Sequence, residues 1–226
     1  MPADKLLTLK LILQFQDRIP DLRLSTFTSI EDAAAAVLPM YFKSEMIADS
    51  KSHTVFAPIL LQGLVSLSDW AARSLSKHRG HLSLSGLTVL SERSAKMLSR
   101  HSGTLHLDGL SNLTDSMAKS LSMHKGYLGL SGVIGLSEAA ACAFSRHQGP
   151  LDLNGLTSIS HPVAKALSRH RGPLHLYGLS SISDEVADAL ALLQGDLHLT
   201  SSILLSGTAR KALSKHGRVF RPLNLR

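Results

Sequence analysis

A 23-residue sentence repeats through most of this chain, and few folds can accommodate it. Leu82 to Thr104 reads LSLSGLTVLSERSAKMLSRHSGT, and Leu105 to Tyr127 reads LHLDGLSNLTDSMAKSLSMHKGY. His78, His101, His124, His147 and His170 recur at that spacing, as do Gly80, Gly103, Gly126, Gly149, Gly172 and Gly195. A fixed period of this length marks a stacked array, in which each unit buries its apolar side only against its neighbours. Seven units follow one another: 59–81, 82–104, 105–127, 128–150, 151–173, 174–196 and 197–219.

Each unit divides into two periodicities. The first half, LxLxGL, alternates apolar and polar residues and predicts a short strand, with Leu82 and Leu84 inward and Ser83 and Ser85 outward. Gly86 then permits either a positive φ or a close backbone approach. Ser91 is a helix N-cap with Glu92 in the first turn. Ser68-Asp69, Thr114-Asp115, Ser137-Glu138 and Ser183-Asp184 repeat the pair, while Ser160-His161-Pro162 places proline where a first turn tolerates it. Ser94, Ala95 and Leu98 mark the buried face of a helix. Gly103 reads as that helix's C-cap.

The array needs covers at both ends. Residues 1–58 read as an N-terminal cap. Residues 1–21 are apolar and suit either a strand or a helix. Residues 22–38 are a degenerate repeat, in which Leu22, Leu24, Phe27, Ile30, Ala35 and Leu38 hold the places of Leu82, Leu84, Leu87, Leu90, Ala95 and Leu98. Residues 39–58 contain an insertion of about fourteen residues beyond the period, either a capping excursion or a binding loop. The last unit is degraded, with Ser201, Ser202 and Arg210 where glycine, leucine and alanine are expected. Residues 220–226 read as a C-terminal cap tail. Leu192 and Leu193 interrupt the basic and histidine columns, and are expected to meet that tail or a second copy of the chain.

The string LxLxGLxxL(S/T)(D/E)xxAxxLS resembles the leucine-rich repeat, and within it the cysteine-containing subclass, whose units run LxLxxCxxITDxxLxxLA. Leu87 and its equivalents stand at the cysteine position, and the unit is shorter. It is similar to the short 23-residue bacterial-type repeats that end HxG. The resemblance spans Ile59–Val219 and, in a worn form, Leu22–Leu38. It implies an α/β fold: a right-handed leucine-rich-repeat solenoid, or horseshoe, with a parallel sheet on the concave side and helices on the convex side. It also implies protein–protein recognition, with apolar packing where the family carries a polar ladder.

The histidine column, His78, His101, His124, His147, His170 and His216, reads as structural, each ring bonding the turn that leads into the next strand. Neighbouring packed helices lie about 8–10 Å apart, whereas zinc needs donors at about 2.0–2.1 Å. The outward strand positions are the candidate partner-binding face. One column contains His106, Asp152, His175 and His198, and the other Asp108, Asn154 and Tyr177. Asp152, His175 and His198 are ligand-type residues in a row, but no metal and no cofactor is expected, because no outer-shell partner is evident. No nucleophile motif, phosphate-binding glycine loop or HExxH spacing is present, so the chain reads as a binding protein rather than an enzyme. Cys142 falls on the outward side of its helix.

Charge supplies a second reading. Residues 1–58 hold six Lys/Arg and seven Asp/Glu, and residues 59–226 hold eighteen and ten, so the net +7 resides in the repeats. Lys77, Arg100, Arg146, Arg169 and Lys215 line one helix column, a stripe suited to nucleic acid or another polyanion. The same cations also complete helix C-termini. The lone Cys142 excludes a disulfide within the chain and favours the cytoplasm. The start lacks a secretion signal, and no run approaches the roughly 18 apolar residues of a membrane span. The expected state is a monomer or weak dimer.

Overall fold

The computed structural model describes residues 5–14, 23–48, 51–215, 217, 219 and 220. Leu22, His216 and most of the tail therefore lie outside the described residues. The chain opens with β1 (Leu6–Leu7), α1 (Leu9–Gln14), β2 (Ser29–Ile30), α2 (Asp32–Tyr41), β3 (Lys43–Ala48) and β4 (Lys51–Phe56). Strand and helix then alternate with the period: β5 (Ile59–Leu60), α3 (Asp69–Leu75), β6 (Leu82–Ser83), α4 (Glu92–Leu98), β7 (Leu105–His106), α5 (Asp115–Leu121), β8 (Leu128–Gly129), α6 (Glu138–Phe144). The series continues with β9 (Leu151–Asp152), α7 (His161–Leu167), β10 (Leu174–Leu176), α8 (Asp184–Leu190), β11 (Leu197–Leu199), α9 (Gly207–Ser214) and β12 (Val219–Phe220). Strands β5 to β12 form one parallel sheet in sequence order, the solenoid-like α/β repeat that the period implies. Parallel strands joined through helices take a right-handed crossover.

The register follows the period. Leu82 pairs with Leu105, Leu105 with Leu128, and Leu128 with Leu151. Leu82, Leu84, Leu87, Ala95 and Leu98 are buried, as are their counterparts up to Leu190, with Phe144 at the place of Leu98. Burying one such leucine contributes roughly 1.5–3 kcal/mol, so a unit gains most of its stability from contacts with the units beside it. No helix among the described residues is long and apolar enough to cross a membrane.

Both glycine columns are there for close approach. Each repeat helix from α3 to α9 ends in a right-handed C-cap, Ser99 at φ −60° for α4, and the only positive φ among described glycines is at Gly217. Gly103 is therefore not a left-handed cap. A Cβ on Gly103 would lie 2.0 Å from the Gly80 carbonyl oxygen, and one on Gly86 would lie 2.1 Å from that of Gln62. Stacked turns bring backbone onto backbone at these points, and no side chain fits between.

The Ser/Thr–acid pairs do more than cap. The Ser91 Oγ accepts from the Ser94 N–H at 2.9 Å and donates to Asp69 of the preceding unit at 2.5 Å. Thr114 likewise caps at Met117 and donates to Glu92, and Ser68, Ser137 and Ser206 donate to Asp32, Asp115 and Asp184. The acid of one helix thus holds the cap of the next. The chain of bonds breaks at α7, where Ser160 makes no side-chain cap bond and His161 replaces the acid. There, Ser183 turns to Glu185 of its own helix.

At the N-terminal end the described residues 5–14 supply both alternatives in turn, a two-residue strand and then a helix. β1 pairs in parallel with β2. Leu24, expected in a strand, instead opens a 3-10 turn, Leu24–Thr26, beside β5. A Cβ on Gly63 would meet the Ser25 and Phe27 carbonyl oxygens as one on Gly86 meets those of Gln62 and Leu64, so the degenerate unit stacks beneath the first full one. The insertion folds into the antiparallel hairpin β3–β4. At the other end, Ile203 is buried where Ser202 would be expected to fill the core, and Ser202 turns to solvent. Leu193 is buried and Leu192 exposed, so the two leucines do not act as one patch. Val219 and Phe220 add β12 to the sheet.

The array curves. Equivalent rings near the helix ends are spaced at 5.9–6.2 Å, against about 4.7–4.9 Å for paired strands. His175 and His198, beyond the sheet on its outward side, are 4.3 Å apart. The sheet is therefore on the inside of the bend. Gly103→Ala should lower the free energy of unfolding by about 1–3 kcal/mol through overpacking. Gly135→Ala, with nothing within 4 Å of the added Cβ, should change it by less than about 0.5 kcal/mol. Urea unfolding of the two variants checks the pair.

Candidate functional site

The outward sheet face carries a continuous row of rings. His81 and His106 have centroids 4.8 Å apart, His106 and Tyr127 5.0 Å, and Tyr127 and His175 6.5 Å. His175 stacks on His198 at 4.3 Å, and Tyr177 stands edge-on to both. Parallel register places the members in line, since His106 pairs with Gly129, Gly129 with Asp152, Asp152 with His175 and His175 with His198. Gly129 leaves a notch in the row. A Cβ there would lie 2.8 Å from both His106 and Asp108, and the Tyr127 ring, lying between His106 and His175, spans the notch.

The polar members of the face are largely committed to one another. His106 Nδ1 donates to Asp108 Oδ2 at 2.9 Å, the Ser85 hydroxyl donates to the same oxygen at 3.0 Å, and the Ser131 N–H reaches Oδ1 at 3.1 Å. Burial works against the Asp108 charge, but these donors outweigh it and hold the carboxyl below its usual range. Asp152, 8% exposed, accepts from the Tyr127 hydroxyl and from the Asn154 N–H, both at 2.9 Å. Burial, followed by the Asp152 bond and charge, pushes the Tyr127 phenol up. Asn154 in turn accepts from the Tyr177 N–H of the next unit. The carboxylates therefore shape the face from within. Tyr177 is exposed, and His81, His106, Tyr127, His175 and His198 are each half-buried, with the Tyr177 hydroxyl 3.2 Å from His198 Nδ1. Burial and then the His198 charge depress the His175 pKa.

Asp152, His175 and His198 are neighbours, yet among the described residues no three His, Cys, Asp or Glu side chains form a group able to hold a metal ion. Tyr127 and His81 are absent from the sequence-derived set. They occupy the residue just before a strand, where other units carry Thr104, Pro150, Pro173 and Asp196. A ring among such residues is the signal that marks them.

Behind the sheet stands a second row. His78, His101, His124, His147 and His170 are buried and stacked, their planes within 15° of parallel. Phe56, at the end of the hairpin, closes the row edge-on against His78, and the buried Leu193 continues it. Equivalent nitrogens about 6 Å apart are too distant to share an ion that needs donors near 2 Å. His101 Nε2 lies 3.0 Å from the Gly80 carbonyl oxygen and His170 Nδ1 3.2 Å from that of Phe144. A carbonyl only accepts, so those nitrogens carry the proton. His124 Nε2 donates to the Tyr127 carbonyl oxygen, into the turn before the next strand as expected from sequence, and His78, His101, His147 and His170 face the equivalent backbone of His81, Thr104, Pro150 and Pro173 in looser geometry. The remaining nitrogens of these rings, and both nitrogens of His78 and His147, meet no partner in hydrogen-bonding geometry. Burial favours the neutral ring throughout, and takes His78, His124 and His170 down to about 4.

The cations Lys77, Arg100, Arg146, Arg169 and Lys215 are on the helix side and exposed. No Lys or Arg occurs in the two outward strand columns, so the two faces of the sheet–helix layer differ in charge. The exposed Cys142 is also on the helix side. The chain matches no protein-family model and no curated protein.

The histidine row makes stability depend on pH. Unfolded histidines titrate near 6.5, while folded His124 resists protonation until about 4. Below pH 6.5 the unfolded chain binds protons that the folded chain refuses, so stability is complete above that pH and falls toward 4. One such ring accounts for about 2 kcal/mol between pH 7.5 and 5.0. Urea unfolding at those two pH values should show the loss, and His124→Leu should reduce it by about that amount; a flat profile contradicts the assignment.

Proposed function

We propose that this chain is a non-catalytic, leucine-rich-repeat-like scaffold that recognises a protein partner through its outward sheet face. The observation that supports this reading is the unbroken row of rings from His81 to His198 across successive strands. Aromatic side chains supply large contact area with few rotatable bonds and are enriched at protein interfaces. The face is rigid as well: its carboxylates are tied to neighbouring hydroxyls and backbone N–H groups, so few side chains must be ordered on binding. Its centre is His175, Tyr177 and His198, with His106, Asp108, Asp152 and Asn154 holding the surrounding shape.

The lone cysteine accords with a cytoplasmic setting. The 23-residue HxG unit accords with a bacterial origin, and the exposed Leu192 with weak self-association at most. The decisive comparison is quantitative capture of interacting proteins by the wild type and by a His175→Ala/Tyr177→Ala/His198→Ala variant, with thermal unfolding as the folding control. A partner held by the sheet face should lose at least tenfold in affinity to the triple variant and keep its affinity for Lys165→Ala/Lys211→Ala on the helix side. The reverse pattern would reject the sheet face as the interface.

A further inference from the structure

The helix side opens into a groove of about 960 Å³ between α4 and α5. Arg93, Lys96, Arg100, Lys119 and Lys125 line it, against one carboxylate, Glu92. Glu92 is already engaged by the Thr114 hydroxyl, and Arg93 lies 3.8 Å from Asp69. Among the described residues Lys96, Arg100, Lys119 and Lys125 form no ion pair. Lys96 on α4 and Arg100, two residues past the end of that helix, both line the groove. The groove therefore concentrates positive charge, with Glu92 the one carboxylate in its lining. Ser116 and Ser120 present short hydroxyl side chains from α5 and so leave the space open.

His101 forms part of the wall at 2% exposure, with its Nε2 proton committed to the Gly80 carbonyl oxygen, so the ring closes the groove and leaves ligand contacts to the cations.

The sequence limits the length of the ligand. The column Lys77, Arg100, Arg146, Arg169, Lys215 is interrupted by Met123 and Leu192. Its neighbour, Arg73, Lys96, Lys119, Lys165, Lys211, is interrupted by Cys142 and Asp188. A long phosphate backbone crossing the helices would meet these gaps, whereas the α4–α5 groove gathers its cations from two adjacent units.

We propose that this groove is a binding site for a compact polyphosphate, an anion of two or three linked phosphate groups, held by Lys96, Arg100, Lys119 and Lys125. Charge-assisted hydrogen bonds from lysine and arginine are the ordinary means of holding such groups.

Calorimetric titration of the full chain with inorganic tripolyphosphate in 150 mM salt tests it. One saturable site is expected, weakened at least tenfold in Lys96→Ala/Lys119→Ala and less than twofold in Lys165→Ala/Lys211→Ala, which removes the same charge elsewhere. Circular dichroism melts confirm that both variants fold. A parallel titration with a nucleoside triphosphate identifies the source: tighter binding than tripolyphosphate assigns the site to a nucleotide, and equal or weaker binding to the free polyphosphate. Absence of a saturable site, equal weakening in both variants, or tighter binding of a 20-nucleotide single strand with loss shared by both variants would overturn the proposal.

Discussion

Parallel strand pairing sets a step of about 4.8 Å between units, and every other recurring feature has to live within it. Two turns stacked at that distance bring carbonyl oxygens against the α-carbons above them. This is why Gly80, Gly103 and Gly126 form one column and Gly63, Gly86 and Gly109 another. The helices are wider than the strands they follow. They reach a common step only by small inward residues, Ala72, Ala95 and Ala118, and by a bend that spreads their side of the array.

The invariant letters thus describe contacts between units more than structure within a unit. Ser91 is informative here. As a helix cap it satisfies a local N–H, a role visible from its place before Glu92. Its second bond, to Asp69, joins two helices and depends on a neighbour 22 residues earlier. The histidines belong to the same class: each ring touches the one 23 residues away, and burial rather than charge determines its state.

The strand–helix alternation and the inward leucines are legible because their periods of two and 3.6 are local properties. So is the pairing of equivalent residues, because a single period leaves one parallel register. Gly103 misleads because a glycine after a helix has two uses, and only the distance to Gly80 separates them. Leu24 misleads because the same leucine spacing there leads into a 3-10 turn. On the outward face, the alternation places His106, Asp152, His175 and His198 together. Tyr127 escapes it because its ring reaches across the notch at Gly129 from a residue just before the strand. The bonds of Asp108 and Asp152 escape it too, since alternation assigns a side without saying which partners are there.

The step between strands has a further effect, on what can be read along the sheet. An extended peptide advances about 3.3 Å per residue, so one laid across these strands would use about three residues for every two units. Its side chains alternate, so one returns to the same place facing the sheet only after about six residues, or about four strands. His106 and His198 are spaced in that way, four units apart in the same column. For such a peptide the sheet would be a graduated rule whose marks fall every fourth strand, and changing the residue at one mark would alter selectivity for one segment while leaving the others in place.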